Sequence, residues 1–360
     1  MHKKRIYKII EIINSNGCDS FLVTSIDNIF YLSGFTGSTA ALIITENDTY
    51  ILVDPRYSIQ ARNECNDIEV VDYTGKSTID AVSSFINDKN IKSVLCEADN
   101  LSVTLFNKLK SSLNESISLE LSSGVVEKLR MVKDEYEIEK IKSACRIVDD
   151  TISKISNTIK VGMTEKEVAI LIDYTMRSVG ADKAGFDTIA ASGHNSACPH
   201  ASPTDRKLQY GDFLKLDFGA ELNRYNSDIT RTFVIGKPTD KHKEIYNTVL
   251  AAQMKAIEAI KPNISGKEID DVARNYIAEC GYGKNFGHGL GHSIGIEVHD
   301  GPGLSQTSDI ILQPGMVFTV EPGIYIEGFG GVRIEDDVLV TETGYEILTH
   351  SNKKDIVVID

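Results

Sequence analysis

The stretch KLDFGAELNRYNSDITRTF, from Lys215 to Phe233, limits the folds open to this chain more than any other. Leu214, Leu216 and Phe218 share one parity and Asp217 takes the other, as in a strand with one apolar face. After a polar break at Asn223-Arg224, Asp228, Thr230 and Thr232 share a parity opposite to Ile229 and Phe233. A hairpin folded near Leu222-Asn223 would set Asp217 and Asp228 across from each other on one face, about 4.5–5.5 Å apart at Cβ. Like charges so placed destabilise a sheet, so the pattern predicts something positive between them. A pair of divalent cations answers that need.

A second hairpin of the same design follows. Glu321-Pro322-Gly323-Ile324-Tyr325-Ile326 leads through Gly328-Phe329-Gly330-Gly331 into Val332-Arg333-Ile334-Glu335-Asp336, so Glu321 and Glu335 flank the turn as facing carboxylates. Between the hairpins lies GHGLGHSIGIEVHDGP, Gly287 to Pro302, with His288, His292 and His299. Four strand-borne carboxylates and one histidine suit two metals, and an oxygen-rich set favours Mn²⁺, Co²⁺ or Zn²⁺ over a thiolate-seeking ion. Any one of these acids alone reads as a solvated strand residue; two matched hairpins do not. His288 and His292 are four apart, but Gly287, Gly289 and Gly291 argue against a helix there, and without HExxH the zincin reading fails. The glycines fit a close backbone approach instead. Arg333 shares parity with Glu335 and should point to the same face; Thr230 shares parity with Asp228 as a supporting partner, and Tyr225 reads as sheet packing.

DFGAELNRYNSDITRTF, HGLGHSIGIEVHD, VEPGIYI and GGVRIEDD together resemble the motifs of the Xaa-Pro peptidases of the pita-bread fold, aminopeptidase P and prolidase among them (metallopeptidase family M24). Near the front, Tyr31 to Ser38 (YLSGFTGS) is similar to a stretch of that family's N-terminal domain. Asn226 stands where many members carry Cys; the position is not a ligand in the family. The resemblance implies Asp217, Asp228, His292, Glu321 and Glu335 as ligands of two divalent ions, Mn²⁺ first. It also implies His200, His288, His299 and Arg333 as substrate-facing residues. Of these, His200 and His299 would steady the oxyanion or the leaving proline nitrogen, while Glu321 would accept and return the proton. His194, in the same small-residue loop as His200, reads as a surface residue, and Cys198 as an inert thiol.

The implied activity is hydrolysis of the bond preceding proline near a peptide N-terminus, of the Xaa-Pro aminopeptidase type, with Xaa-Pro dipeptidase as the alternative. The substrates would be peptides with proline in second position. Phe35-Thr36-Gly37-Ser38 leans toward the aminopeptidase. A catalytically dead peptide-binding relative and metal-independent creatinase are disfavoured by the intact ligand set, and methionine aminopeptidase by the N-terminal domain. Family habit and the Tyr31–Ser38 segment, a loop by composition, imply a homodimer.

Length sets the frame: 360 residues call for two domains. Strands alternating with helices over 1–124 predict an α/β domain, and helices interleaved with hairpins over 125–360 an α+β domain; the resemblance implies that the first is creatinase-like and the second of pita-bread type. The boundary is expected at Ser122-Ser123-Gly124, followed by a long charged helix entered through Glu127–Asp134. A net charge of −14 argues against nucleic acid and an anionic membrane surface. Six scattered cysteines without a CxxC fit a reducing, cytoplasmic setting. MHKKRIYKIIEII reads as a first helix with an Ile6, Ile9, Ile10, Ile13 stripe, and no stretch nears the length of a membrane span.

Overall fold

The computed structural model describes residues 1–360 and falls into two units, Met1–Arg130 and Met131–Asp360. No helix is long and apolar enough to cross a membrane.

The first unit runs α1 (His2–Ser15), β1 (Ser20–Val23), α2 (Ile26–Ser33), β2 (Ala41–Thr45), β3 (Thr49–Val53), α3 (Ser58–Glu64), β4 (Glu69–Asp72), α4 (Thr78–Asp88), β5 (Ser93–Glu97), α5 (Val103–Ser112), β6 (Ser118–Ser122) and α6 (Val125–Arg130). Its sheet has the order β4-β3-β2-β1-β5-β6. The β1–β2 and β2–β3 pairs are antiparallel and the outer pairs parallel, the mixed α/β arrangement expected. Ser25, Ser77 and Ser102 start α2, α4 and α5 by accepting the N–H three residues on.

Two readings change here. Tyr31-Leu32-Ser33 is the last turn of α2, not a loop: Gly34 closes it at φ 82° with its N–H on the Phe30 carbonyl. Only the part from Gly34 onward is irregular, and Thr36 ties it to Glu64 on α3. The charged stretch at Glu127–Asp134 is likewise broken. α6 stops at Arg130 and a new helix begins after Asp134.

The units divide after Arg130, later than the 124/125 boundary read from composition, because α6 packs on α1 and α2. Fully buried Asn28 on α2 makes that join. Its amide donates to Glu97 and Glu127 (both 2.7 Å), and its oxygen accepts from Arg130 (2.8 Å). Glu97 in turn takes the N–H groups of Thr24 and Ser25 at 2.6 and 2.8 Å.

The second unit runs α7 (Glu135–Ile155), α8 (Glu165–Ser178), β7 (Lys183–Ala184), β8 (Ile189–Ser192), a 3₁₀ turn at Gly193–Ala197, β9 (Phe213–Phe218), β10 (Ala220–Leu222), β11 (Tyr225–Asn226), β12 (Ile229–Ile235), α9 (Asp240–Ala259), α10 (Gly266–Glu279), β13 (Val317–Val320), β14 (Gly323–Ile326), β15 (Gly330–Arg333), β16 (Asp336–Val340), β17 (Tyr345–Ile347) and β18 (Val358–Ile359). Capping boxes open α7 (Asp134, Glu137), α8 (Thr164, Glu167) and α10 (Ser265, Glu268). Each carboxylate hairpin is backed by its own helix pair. Leu214, Leu216 and Phe233 pack on Val148 of α7 and Val168 and Ile172 of α8. Phe318, Val320 and Val338 pack on Val249 of α9 and Ile269 and Ala273 of α10. The apolar parity goes to the helices, so the acidic parity of each hairpin turns the other way.

The Asn28 join can be tested. Asn28→Leu should lower stability to chemical denaturation by about 2–4 kcal/mol, because buried Glu97 and Arg130 each lose a partner. A loss below about 0.5 kcal/mol would show that the join is dispensable.

Candidate metal centre

The first hairpin turns at Asn223 and Arg224, which both hold positive φ (52° and 72°), as a two-residue type I′ turn requires. That centre lies one residue beyond the expected one, so the register differs by two. Asp217 pairs with Thr230, not Asp228. A shift of two preserves the face, so Asp217, Asp228 and Thr230 still share one side and the two acids are diagonal neighbours. In the second hairpin, Val320 pairs with Asp336 and Gly323 with Arg333, which sets Glu321 opposite Glu335 as the sequence predicts.

His292 comes from the glycine-rich segment, which is extended, not helical. Gly291 bridges Leu304 and Ser293 bridges Phe318, so the segment runs alongside β13. A Cβ at Gly291 would collide with the Thr319 carbonyl, the close approach that glycine permits. The His292 N–H donates to Thr319 Oγ1 at 2.9 Å, and Nδ1 lies 3.2 Å from the Ser293 carbonyl. A carbonyl only accepts, so Nδ1 carries the proton and the Nε2 lone pair faces Asp228 Oδ2 (3.5 Å) and Glu321 Oε1 (3.7 Å).

Asp228, His292 and Glu335 can bring one ligand atom each to within 4.8 Å of one another. Asp228 Oδ1 is buried and has no hydrogen-bond partner. Burial, then Glu335 and Asp217, push the Asp228 carboxyl well above its ordinary range; burial, then Glu321 and Asp217, do the same to Glu335. Burial also raises Glu321, against the pull of Arg333 and His292. An unpartnered carboxylate oxygen, an outward lone pair and mutually repelling acids are the donor set of a cation site, so these residues fit divalent ions. Asp217 and Glu321 stand outside the tight triad. Asp217 pairs with the Arg333 guanidinium, and Glu321 Oε2 lies 3.7 Å from Arg333 Nε.

Arg333, almost fully buried, is the cation of this group, and it also donates to Thr230 Oγ1 (3.0 Å) and Tyr325 Oη (2.9 Å). The Thr230 hydroxyl in turn donates a hydrogen bond to Glu335 Oε2 at 2.5 Å. Thus Thr230 supports Glu335 rather than Asp228. Burial and then Arg333 lower His288 to about 4, so its ring is neutral near pH 7. Its Nδ1 points at the Gly289 carbonyl (2.8 Å), which leaves Nε2 to accept from Tyr325 Oη at 2.9 Å. His299 stacks on His292 with ring centroids 4.1 Å apart. Burial, then His292 and His200, hold it below its ordinary value. His200 sits on an exposed turn, close enough to lower both His288 and His299.

The segment bearing His200 is docked by several side chains. Glu165 accepts from the N–H groups of Ser192 (2.7 Å) and Thr204 (3.0 Å). Burial opposes its ionisation, but hydrogen bonds from Thr204 and Ser192 outweigh that and lower its pKa. Ser196 Oγ takes the N–H of Gly331 at 2.9 Å, and a Cβ at Gly331 would strike the Ser196 carbonyl.

Residues 139–342 match metallopeptidase family M24, and residues 5–132 match the Creatinase/Prolidase N-terminal domain. The chain belongs to metallopeptidase family M24. It is 39% identical over 351 residues to a Xaa-Pro dipeptidase of Pyrococcus horikoshii, with 98% of each chain covered. The solved Xaa-Pro dipeptidase from Bacillus anthracis superposes with TM-score 0.96 at 39% identity, covering all of both chains. An X-Pro aminopeptidase from Thermotoga maritima gives TM-score 0.91 at 43% identity, over 99% of this chain and 100% of that one. The fold is therefore a creatinase-type α/β domain followed by a pita-bread catalytic domain, and the protein is a hydrolase of the divalent-metal peptidase class.

The M24 domain also holds residues the sequence reading passed over. Tyr325 links Arg333 to His288, and its position in EPGIYI gave no hint beyond strand packing. Asp337 shares parity with Arg333 and Glu335, and its Oδ2 takes the N–H of Asp228 at 2.9 Å and the Cys145 thiol at 3.3 Å. Burial pushes Asp337 up to about 8. Lys215 shares parity with Asp217, a signal available in KLDF.

The raised carboxyls fix a sign. In metal-free protein their repulsion is absent while they are protonated and grows as pH rises through their folded-state pKa values, so it destabilises toward alkaline pH. Metal binding needs them ionised and relieves that repulsion. The rise in Tm on adding Mn²⁺ to chelated protein should therefore be larger at about pH 8 than at about pH 5.5. Thermal unfolding at both values checks this, and a shift independent of pH would contradict it.

Proposed function

We propose that this M24 enzyme is an Xaa-Pro dipeptidase that uses two divalent ions held by Asp217, Asp228, His292, Glu321 and Glu335. The observation that carries the reading is the His292 Nε2 lone pair facing Asp228 and Glu321 beside an unpartnered Asp228 oxygen. The oxygen-rich donor set favours Mn²⁺, with Co²⁺ or Zn²⁺ as substitutes. Support for a dipeptidase comes from relatives of that name, in Pyrococcus horikoshii and Pyrococcus furiosus, matched along nearly the whole chain. An Xaa-Pro aminopeptidase is the second reading, favoured by the likeness to the Thermotoga maritima enzyme.

When bound, the cations would polarise the carbonyl preceding proline and bring the pKa of water toward neutrality. The chain's own residues do the rest. Glu321, its carboxyl raised by burial, takes the proton of the attacking water and returns it to the proline nitrogen, a leaving group that departs poorly unless protonated. His299, neutral near pH 7, offers its imidazole N–H to the developing oxyanion, with His200 beside it. Arg333 balances Asp217 and, through Tyr325, orients the neutral His288 ring at the substrate pocket.

A homodimer in the cytoplasm accompanies this reading. The likeness to the family and six unpaired cysteines support it, and sedimentation as a monomer at micromolar concentration would refute the dimer.

Product analysis decides between the two peptidase readings. With Mn²⁺ present, Ala-Pro should be split while Ala-Pro-Ala is cleaved far more slowly. Faster release of alanine from the tripeptide would make the enzyme an aminopeptidase, and no cleavage of either would remove both readings.

A further inference from the structure

Lys215 lies on β9 opposite Thr232, on the same face as Asp217, and has no solvent exposure. Its ammonium donates to two backbone carbonyls, those of Cys198 (2.7 Å) and Pro199 (2.9 Å), the residues that immediately precede His200. Arg333 adds a longer bond of 3.2 Å to the Pro199 carbonyl, but its other donors are taken by Asp217, Thr230 and Tyr325. The chain from Cys198 to Pro203 has no regular secondary structure. Glu165 holds its far ends at Ser192 and Thr204, and Ser196 pins the 3₁₀ turn to β15. The two peptides next to His200 are held from beneath by Lys215.

An apolar side chain of similar length would fill this volume without taking a charge out of water. A buried ammonium aimed at two carbonyls therefore serves to fix backbone position, and the fixed backbone is that of His200. We propose that Lys215 is a positioning residue for His200, holding its imidazole beside His288 and His299 during Xaa-Pro hydrolysis. This rests on the catalytic reading of His200 given above. It differs from the metal-ligand roles because the hydrogen bonds of Lys215 go to the loop backbone, although its ammonium also lies 5.2 Å from the centre of the Tyr325 ring.

The test is a double-mutant cycle on the metal-loaded enzyme with Ala-Pro as substrate, joined to hydrogen exchange. Lys215→Met should retain its bound metal and exchange faster in peptides covering residues 198–204, with little change elsewhere. Its kcat/KM should fall by roughly 10- to 100-fold, the scale set by a small misplacement of a catalytic group. In a His200→Ala background the same substitution should have almost no further effect. Lys215→Gln, which keeps donors without the charge, should fall between Lys215→Met and wild type. If Lys215→Met fails to fold, Lys215→Gln carries the same cycle. An undiminished effect on the His200→Ala background, loss of metal or unchanged exchange at 198–204 would overturn the proposal. Wild-type enzyme inactive on Ala-Pro, with exchange at 198–204 still accelerated in Lys215→Met, would instead locate the failure in the functional reading.

Discussion

Electrostatic repulsion inside one buried space governs the second unit. Asp217, Asp228, Glu321 and Glu335 converge there with Nε2 of His292, and two buried cations, Arg333 and Lys215, stand against them. Four carboxylates against two cations leave an excess of negative charge in a medium that screens poorly. Such an arrangement persists in a fold when cations complete it, and the surrounding structure is shaped to hold the acids in place against their mutual repulsion. Thr230 fixes Glu335, Thr319 fixes both His292 and Glu321, and Asp337 fixes the backbone of Asp228.

The delivery of these groups depends on β-sheet parity. Each hairpin gives its apolar side chains to a helix pair and its acids to the opposite face, so α7 with α8 and α9 with α10 act as two rigid backings for one site. Behind Glu335, Asp336 points the other way and is neutralised by Arg231 and Lys353. Adjacent acids in one strand therefore meet opposite fates: burial among cations holds Asp336 ionised, while burial among other acids pushes Glu335 up. The sign of the neighbouring charge, not burial, separates them.

Much of this was legible in the residues. Alternation in KLDF and SDITRTF placed Asp217 and Asp228 on one face, and the symmetry of Glu321 and Glu335 about the Gly328–Gly331 turn gave their pairing. The register of the first hairpin was not legible, because the turn hinges on Arg224 adopting positive φ, which its type does not announce. Helix α2 was hidden for a related reason: Ser33 and Gly34 look like loop residues but are a helix end and its left-handed cap. The place of α6 followed from long-range bonds of Asn28, which no local pattern carries. Lys215 was visible by parity, yet its partners are carbonyls far along the chain, so its task emerged only from the fold.

Cations that fill the space between the two hairpins can be counted: the metal content of the protein is measured after chelation, dialysis against Mn²⁺ and removal of free ion, for wild type beside Asp228→Ala and His299→Ala. About two ions per chain are expected in wild type and in His299→Ala, and at most one in Asp228→Ala. Wild-type protein that retains no metal, or Asp228→Ala that retains the full complement, would contradict it.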